Sequence, residues 1–150
     1  MIVNHLVVSL TAWYAYQSFT SMPEYNEMAI GLVALGTALP DIDHPNSTIG
    51  SKFKWLSWPI HLLFGHRNIT HSMLAVAMLY CLTEYISFLF PLVFGYAMHL
   101  VGDWLTPAGV KIFWPYSKQY RSPVVIPTNS IWEYVLVWGT AGALLTWIVT

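Results

Sequence analysis

Four stretches of the chain concentrate side chains able to bind an ion or move a proton. They are His5, Asp41-Ile42-Asp43-His44, His66-Arg67-Asn68-Ile69-Thr70-His71, and His99 with Asp103. His99 and Asp103 are four residues apart, so on a helix they share one face and can grip one cation, with the imidazole one turn deeper than the carboxylate. In Leu39-Pro40-Asp41-Ile42-Asp43-His44-Pro45, two prolines hold a tight segment whose carboxylates repel each other unless a cation relieves them. Carboxylates at the C-terminal end of a helix also oppose its dipole, which disfavours a simple capping role. His71 is expected as a ligand at the start of a helix, and His66 as a ligand, a proton shuttle or a hydrogen-bonding support for the ligands. Arg67 suits a substrate phosphate or carboxylate through bidentate bonds, or else only anchors the chain at a membrane face. His5 is either a further ligand or a hydrogen-bonded interface residue. His61 lies outside any ligand-spaced pair, helix capping accounts for Glu133, and Glu84 is too far along its helix from His71 to join the group. Mixed imidazole and carboxylate donors suit zinc, then manganese or iron, better than calcium or copper(I). The donors suffice for one ion or two, and a pair would stabilise both the attacking and the leaving oxygen of a phosphoester displacement.

The elements that must position these groups are helical. Residues 2–20 are long enough to span a bilayer, and Pro23 with Glu24 and Glu27 marks a turn. Residues 27–39 form a second helix that ends at Pro40 and is short for full spanning, so it must tilt, extend or thin the bilayer. A polar segment follows, and then Trp55-Leu56-Ser57-Trp58-Pro59-Ile60-His61-Leu62-Leu63-Phe64, which suits a surface-lying or re-entrant piece. A third helix is predicted from His71 to Phe90, with Thr70 as its N-cap and Pro91 at the next turn, and a fourth over 92–105. Residues 106–129 carry four prolines and predict a structured surface loop with one short hairpin. A fifth helix starts at Ser130 with Glu133 in capping-box spacing. The expected fold is therefore all-α, a polytopic membrane bundle of about five helices with one interfacial or re-entrant segment, forming a single domain over 1–150.

Composition agrees with an apolar surround. The 150 residues are 56% hydrophobic and only 9% charged, against roughly 25% charged in soluble domains, with a mean hydropathy of +0.53. Eight Trp and nine Tyr suit headgroup-level belts. A net charge of -1, with no basic stripe, excludes nucleic acid as an expected partner. Cys81, the single cysteine, excludes an intramolecular disulfide and suits packing. The first apolar stretch lacks a basic flank and a small-residue cleavage site, so it is expected to be a retained helix. All six Lys and Arg (Lys52, Lys54, Arg67, Lys111, Lys118, Arg121) fall in two loops on one side of the expected topology. The excess of Lys and Arg marks that side as cytoplasmic, with the N-terminus and the metal site there and the C-terminus outside.

The runs Gly36-Thr37-Ala38-Leu39-Pro40-Asp41-Ile42-Asp43-His44-Pro45, His66 to Ser72 and His99 to Val110, with an early histidine at His5, resemble the YdjM-like family of predicted membrane-bound metal-dependent hydrolases. That resemblance covers nearly the whole chain and implies a helical fold in the bacterial inner membrane with a metal centre and hydrolytic chemistry. A looser similarity, to bacterial zinc-dependent phospholipases C, lies in the order Asp43, His71, His99, Asp103, and suggests phosphoesters of a lipid or amphiphile as substrate. In this light Asp43, His71, His99 and Asp103 are expected as ligands. Asp41 and His5 would complete a second ion or act as general base, Asp43 and His66 would serve catalysis, and Arg67 would bind substrate. Two other functions use the same residues: a carrier of metal ions or protons, and an adaptor whose metal only staples helix ends. The one-sided placement of the candidates speaks against the carrier.

Overall fold

A computed structural model describes residues 2–20 and 27–149. The described residues form six α-helices: α1 (Ile2–Thr20), α2 (Glu27–Ala38), α3 (Lys54–Phe64), α4 (Met73–Thr83), α5 (Phe90–Trp104) and α6 (Ile131–Val149). Short 3-10 turns at Leu39–Asp43, Ile69–His71 and Ser87–Leu89 join them. The all-α expectation holds, and no strand occurs among the described residues. The expected turn at Pro23 and Glu24 lies outside the described residues.

Helix α5 is the axis of the bundle, with α2 and α1 packed on it and α6 on α1. Backbone meets backbone between α2 and α5: a Cβ on Gly36 would fall 2.0 Å from the Leu92 carbonyl oxygen, and one on Gly95 2.1 Å from that of Val33. Only glycine permits this approach, the small-residue packing familiar between membrane helices. Thr37 sits in the same contact, its hydroxyl donating to Val33 O at 2.8 Å and reaching Gly95 O at 3.4 Å. An apolar cluster of Trp13, Ala29 and Val33, flanked by Tyr16, Phe90 and Phe94, closes the end of the bundle away from the polar groups.

Three sequence expectations change. The helix predicted as one piece from His71 to Phe90 is α4, a 3-10 turn and the start of α5. Ser72, not Thr70, caps α4, accepting from Ala75 N. Pro91 lies inside the first turn of α5 rather than at a turn, where its missing N–H costs nothing. The apolar run concealed the break because hydropathy reports the preferred surround and not backbone continuity; Thr83, Glu84 and Ser87 are the polar marks around it. The interfacial segment is a helix, α3, with Pro59 inside it, Ser57 buried, and Trp55, Leu62 and Leu63 exposed.

The loop 105–130 pairs Val110 with Tyr120 in one antiparallel bridge. It then donates Ser122 N to Trp104 O and Ile126 N to Leu105 O, both at 2.9 Å, so that it satisfies carbonyls left open at the end of α5. The Ser130 cap is formed: Glu133 N donates to Ser130 Oγ at 3.2 Å and Asn129 N to Glu133 Oε2 at 2.6 Å.

No helix among the described residues is long and apolar enough to cross a membrane. Helices α2 to α5 have 12, 11, 11 and 15 residues, which at about 1.5 Å each falls short of a hydrocarbon core of about 30 Å. Helix α1 has 19 residues but carries Asn4, His5 and Ser9. Several polar side chains are nonetheless buried and many large apolar ones exposed. Asn4, Ser9, Thr37, Asp43, Ser57, His71, His99 and Asp103 are buried, while Leu62, Leu63, Met78, Phe88, Ile131 and Trp132 are exposed.

Candidate metal centre

The four stretches singled out in the sequence meet at one end of the bundle. His5 comes from the first turns of α1, Asp41 and Asp43 from the 3-10 turn that Pro40 opens after α2, and His71 from the 3-10 turn before α4. His99 and Asp103 project from the last turns of α5. One ligand atom each from Asp41, His71 and His99 lies within 4.8 Å of the others. His71 Nε2 is 3.8 Å from Asp41 Oδ1 and 3.4 Å from Asp103 Oδ2. His99 Nε2 is 3.7 Å from each of the same two oxygens. His71, His99 and Asp103 are buried, and His71 Nε2, His99 Nε2 and Asp103 Oδ2 have no hydrogen-bond partner. Buried polar atoms left without partners are costly. Three of them converging with a carboxylate oxygen fit a divalent transition metal, whose preferred donors are these.

Asp43 occupies a different place from the one the sequence suggested. It is fully buried and accepts from His66 Nδ1 at 2.7 Å on Oδ1. Its Oδ2 accepts from Arg67 N at 3.0 Å and from the Thr70 hydroxyl, and lies 3.2 Å from His71 Nδ1. With its Nδ1–H directed at Asp43 and Thr70, His71 turns Nε2 toward Asp41 and Asp103, where it can bind an ion in exchange for its proton, the carboxylate–histidine arrangement that orients metal-binding imidazoles. Burial works against charge on Asp43, but the hydrogen bonds from His66, His71 and Thr70 outweigh it and hold the carboxyl well below the usual range. Burial likewise opposes charge on Asp41, whose pKa is lowered on balance by His71 and His99. On the turn before α4, His71 loses by burial and gains more from Asp41 and Asp43, which lift it to about 9.

Arg67 is held inside the site: Nη2 donates to Asp103 Oδ1 at 2.9 Å and Nη1 to the Gly109 carbonyl at 3.4 Å. His5 stacks on His99 at a centroid distance of 4.5 Å, with Nε2 3.7 Å from Asp103 Oδ1. Gly102 makes room for that ring, since a Cβ there would fall 2.3 Å from His5 Nδ1. A cavity of about 170 Å³ adjoins the cluster, lined by His5, Asp41, His44, Ser47, His66, Arg67, His99 and Asp103. His61, set aside in the sequence, donates from Nδ1 to the Asp43 carbonyl at 2.9 Å and so has a structural partner. Thr70 was read only as a helix cap; its adjacency to His71 was the available signal for its place beside Asp43. Ser47 and Gly109 had no signal, because they enter through loop geometry.

Residues 1–150 match the model of the YdjM inner membrane protein family, and the chain belongs to that family. Inner membrane protein YdjM of Escherichia coli (strain K12) is 40% identical over 123 residues, which cover 74% of this chain and 60% of that protein. The Shigella flexneri protein of the same name aligns with the same figures. Uncharacterized protein YvsG of Bacillus subtilis (strain 168) is 36% identical over 110 residues, or 71% of this chain and 69% of its own length. The chain thus spans about 60% of the length of the first two relatives. No solved structure matches it.

Proposed function

We propose that this member of the YdjM inner membrane protein family is a membrane-embedded, metal-dependent hydrolase of a phosphoester in a lipid or amphiphile. One observation carries the proposal: His71 Nε2, His99 Nε2 and Asp103 Oδ2 are buried and unpartnered, and converge with Asp41 Oδ1 beside a cavity. Asp41, His71, His99 and Asp103 would hold the ion, zinc by donor preference. Bound there, it supplies Lewis acidity toward water and a phosphoryl oxygen. Asp43 takes the Nδ1–H of His66, which leaves the His66 Nε2 lone pair to accept a proton in the cavity that this ring lines. Arg67 lines the same cavity and offers its positive charge to an anionic substrate group.

The membrane setting is supported by the name of the E. coli relative, an inner membrane protein, and by the many large apolar side chains exposed on the surface. We place the protein in the bacterial inner membrane as a multi-pass bundle, with the N-terminus and the metal centre on the cytoplasmic side, where all the basic residues fall. The short helices would cross by pairing end to end or by thinning the bilayer. A reporter fused after residue 150 should read external, and a cytoplasmic signal would refute the orientation.

The test of function is purified full-length protein assayed for bound metal and for cleavage of a phospholipid panel. Stoichiometric transition metal is expected, with cleavage abolished in His99→Ala and cut about 100- to 10,000-fold in His66→Gln, the range of a lost general base. Absence of metal would refute the centre. Metal without cleavage of any phosphoester would refute the hydrolase and leave a metal carrier or a metal-stapled adaptor.

A further inference from the structure

A second ion on the His5 side would need carboxylate oxygens there, and both oxygens of Asp43 and the outer oxygen of Asp103 already accept hydrogen bonds. Both oxygens of Asp43 are engaged, by His66 on one side and by Arg67 N, Thr70 and His71 on the other. Asp103 is divided between two neighbourhoods. Its Oδ2 is unpartnered and faces the two imidazoles, while its Oδ1 accepts from Arg67 Nη2 at 2.9 Å and lies 3.7 Å from His5 Nε2. In a two-ion centre a bridging carboxylate presents one oxygen to each ion. Here the outer oxygen, on the side where His5 could contribute, already holds a guanidinium. That group cannot lose its charge, and its position is over-determined. The Arg67 backbone is in the left-handed region at φ 57°, its N–H is tied to Asp43, and its Nη1 to the Gly109 carbonyl.

We infer that the centre holds one divalent ion on Asp41, His71, His99 and Asp103, that Arg67 permanently supplies the second positive charge, and that Asp43 is a positioning residue for His71 and His66. This rests on the metal centre proposed above and is independent of whether the protein hydrolyses anything. It also gives the cavity a charge pattern: an anionic group entering it would meet both the ion held by Asp41, His99 and Asp103 and the Arg67 guanidinium, with His44 and Ser47 also lining the space.

The experiment is zinc counting on purified full-length protein, freed of any tag, saturated with zinc and then dialysed against a weak chelator. One zinc per chain is expected in the wild type. Asp43→Asn should also bind one, with Kd raised about 10- to 100-fold, the usual effect of removing a partner that orients a ligand. The visible bands of the cobalt(II)-loaded protein should shift in Asp43→Asn, because His71 has lost the group that aims it. Arg67→Lys, which keeps the charge, should bind one zinc as well. Two zinc ions per wild-type chain, or a fall from two to one in Asp43→Asn, would overturn the inference while leaving the metal centre intact. Unchanged affinity and unchanged cobalt bands in Asp43→Asn would overturn the positioning role. No zinc at all would overturn this inference together with the centre. If Asp43→Asn does not fold, the wild-type count still decides the stoichiometry, and Thr70→Ala tests the positioning: a raised Kd is expected, and an unchanged one overturns it.

Discussion

Gly95→Ala tests the link between helix packing and the site. A Cβ at residue 95 would lie 2.1 Å from the Val33 carbonyl oxygen and 2.9 and 3.0 Å from its carbonyl carbon and Cα. These atoms belong to the backbone of α2, so no side-chain rotation can relieve the clash. An ordinary carbon-to-oxygen contact is about 3.3 Å or longer, so the helices must part by roughly 1 Å. Thr37 loses the Gly95 carbonyl that its hydroxyl reaches at 3.4 Å. Overpacking of this kind costs about 1–3 kcal/mol, offset in part by the roughly 0.5–1 kcal/mol that alanine gains over glycine within a helix. A net loss of about 1–2 kcal/mol is expected. Gly31 in α2 is the matched control: a Cβ there meets nothing within 4 Å, so Gly31→Ala should be neutral or gain up to roughly 1 kcal/mol. The two variants should therefore differ by about 2 kcal/mol in reversible unfolding in one detergent. Because His99 lies one turn beyond Gly95 and Asp41 follows α2, the same movement should widen the 3.7 Å gap between their ligand atoms and weaken zinc binding. Equal stability of Gly95→Ala and Gly31→Ala would refute the close-packed contact.

Further outcomes follow from the charges and caps. Arg67→Met leaves the buried Asp103 carboxylate without its cation. It should cost the metal-free protein about 3–5 kcal/mol and the zinc-loaded protein distinctly less, as read from unfolding with and without a chelator. In metal-free protein, Asp43, with its lowered pKa, contributes stability that is present above its unfolded value of about 4 and lost toward strong acid. His71, raised to about 9, contributes stability that is full below its unfolded value of about 6.5 and lost as pH rises through 9. Melting temperature without metal should thus fall between about pH 6.5 and 9, whereas zinc affinity should rise over the same interval because the ion competes with the His71 proton; a flat metal-free profile would refute the His71 assignment. Ser130→Ala removes the acceptor for Glu133 N and should cost about 0.5–2 kcal/mol, measurable as faster amide exchange in the first turn of α6.

What the sequence determined by itself was the local punctuation and the company the polar residues keep. Pro40 ends α2, Ser130 and Glu133 cap α6, and the i, i+4 spacing of His99 and Asp103 puts both on one face of α5, because these are effects of neighbours within a turn. Helix order then brought His5, the Asp41–His44 segment, His71 and the His99/Asp103 pair to one end. The tertiary structure decided what depends on partners distant in the chain. Asp41 and Asp43 are near-equivalents in sequence, yet the residues 66–71 that approach their turn saturate Asp43 and leave Asp41 to face the imidazoles. Arg67 reads as a free cation until α5 presents Asp103 to it. The break between α4 and α5 was hidden for the same reason: an apolar run specifies its surround, while continuity of the backbone is set by how α4 and α5 fold against each other. Local residue types can name the donors in a cluster, but only packing fixes which lone pairs are already taken.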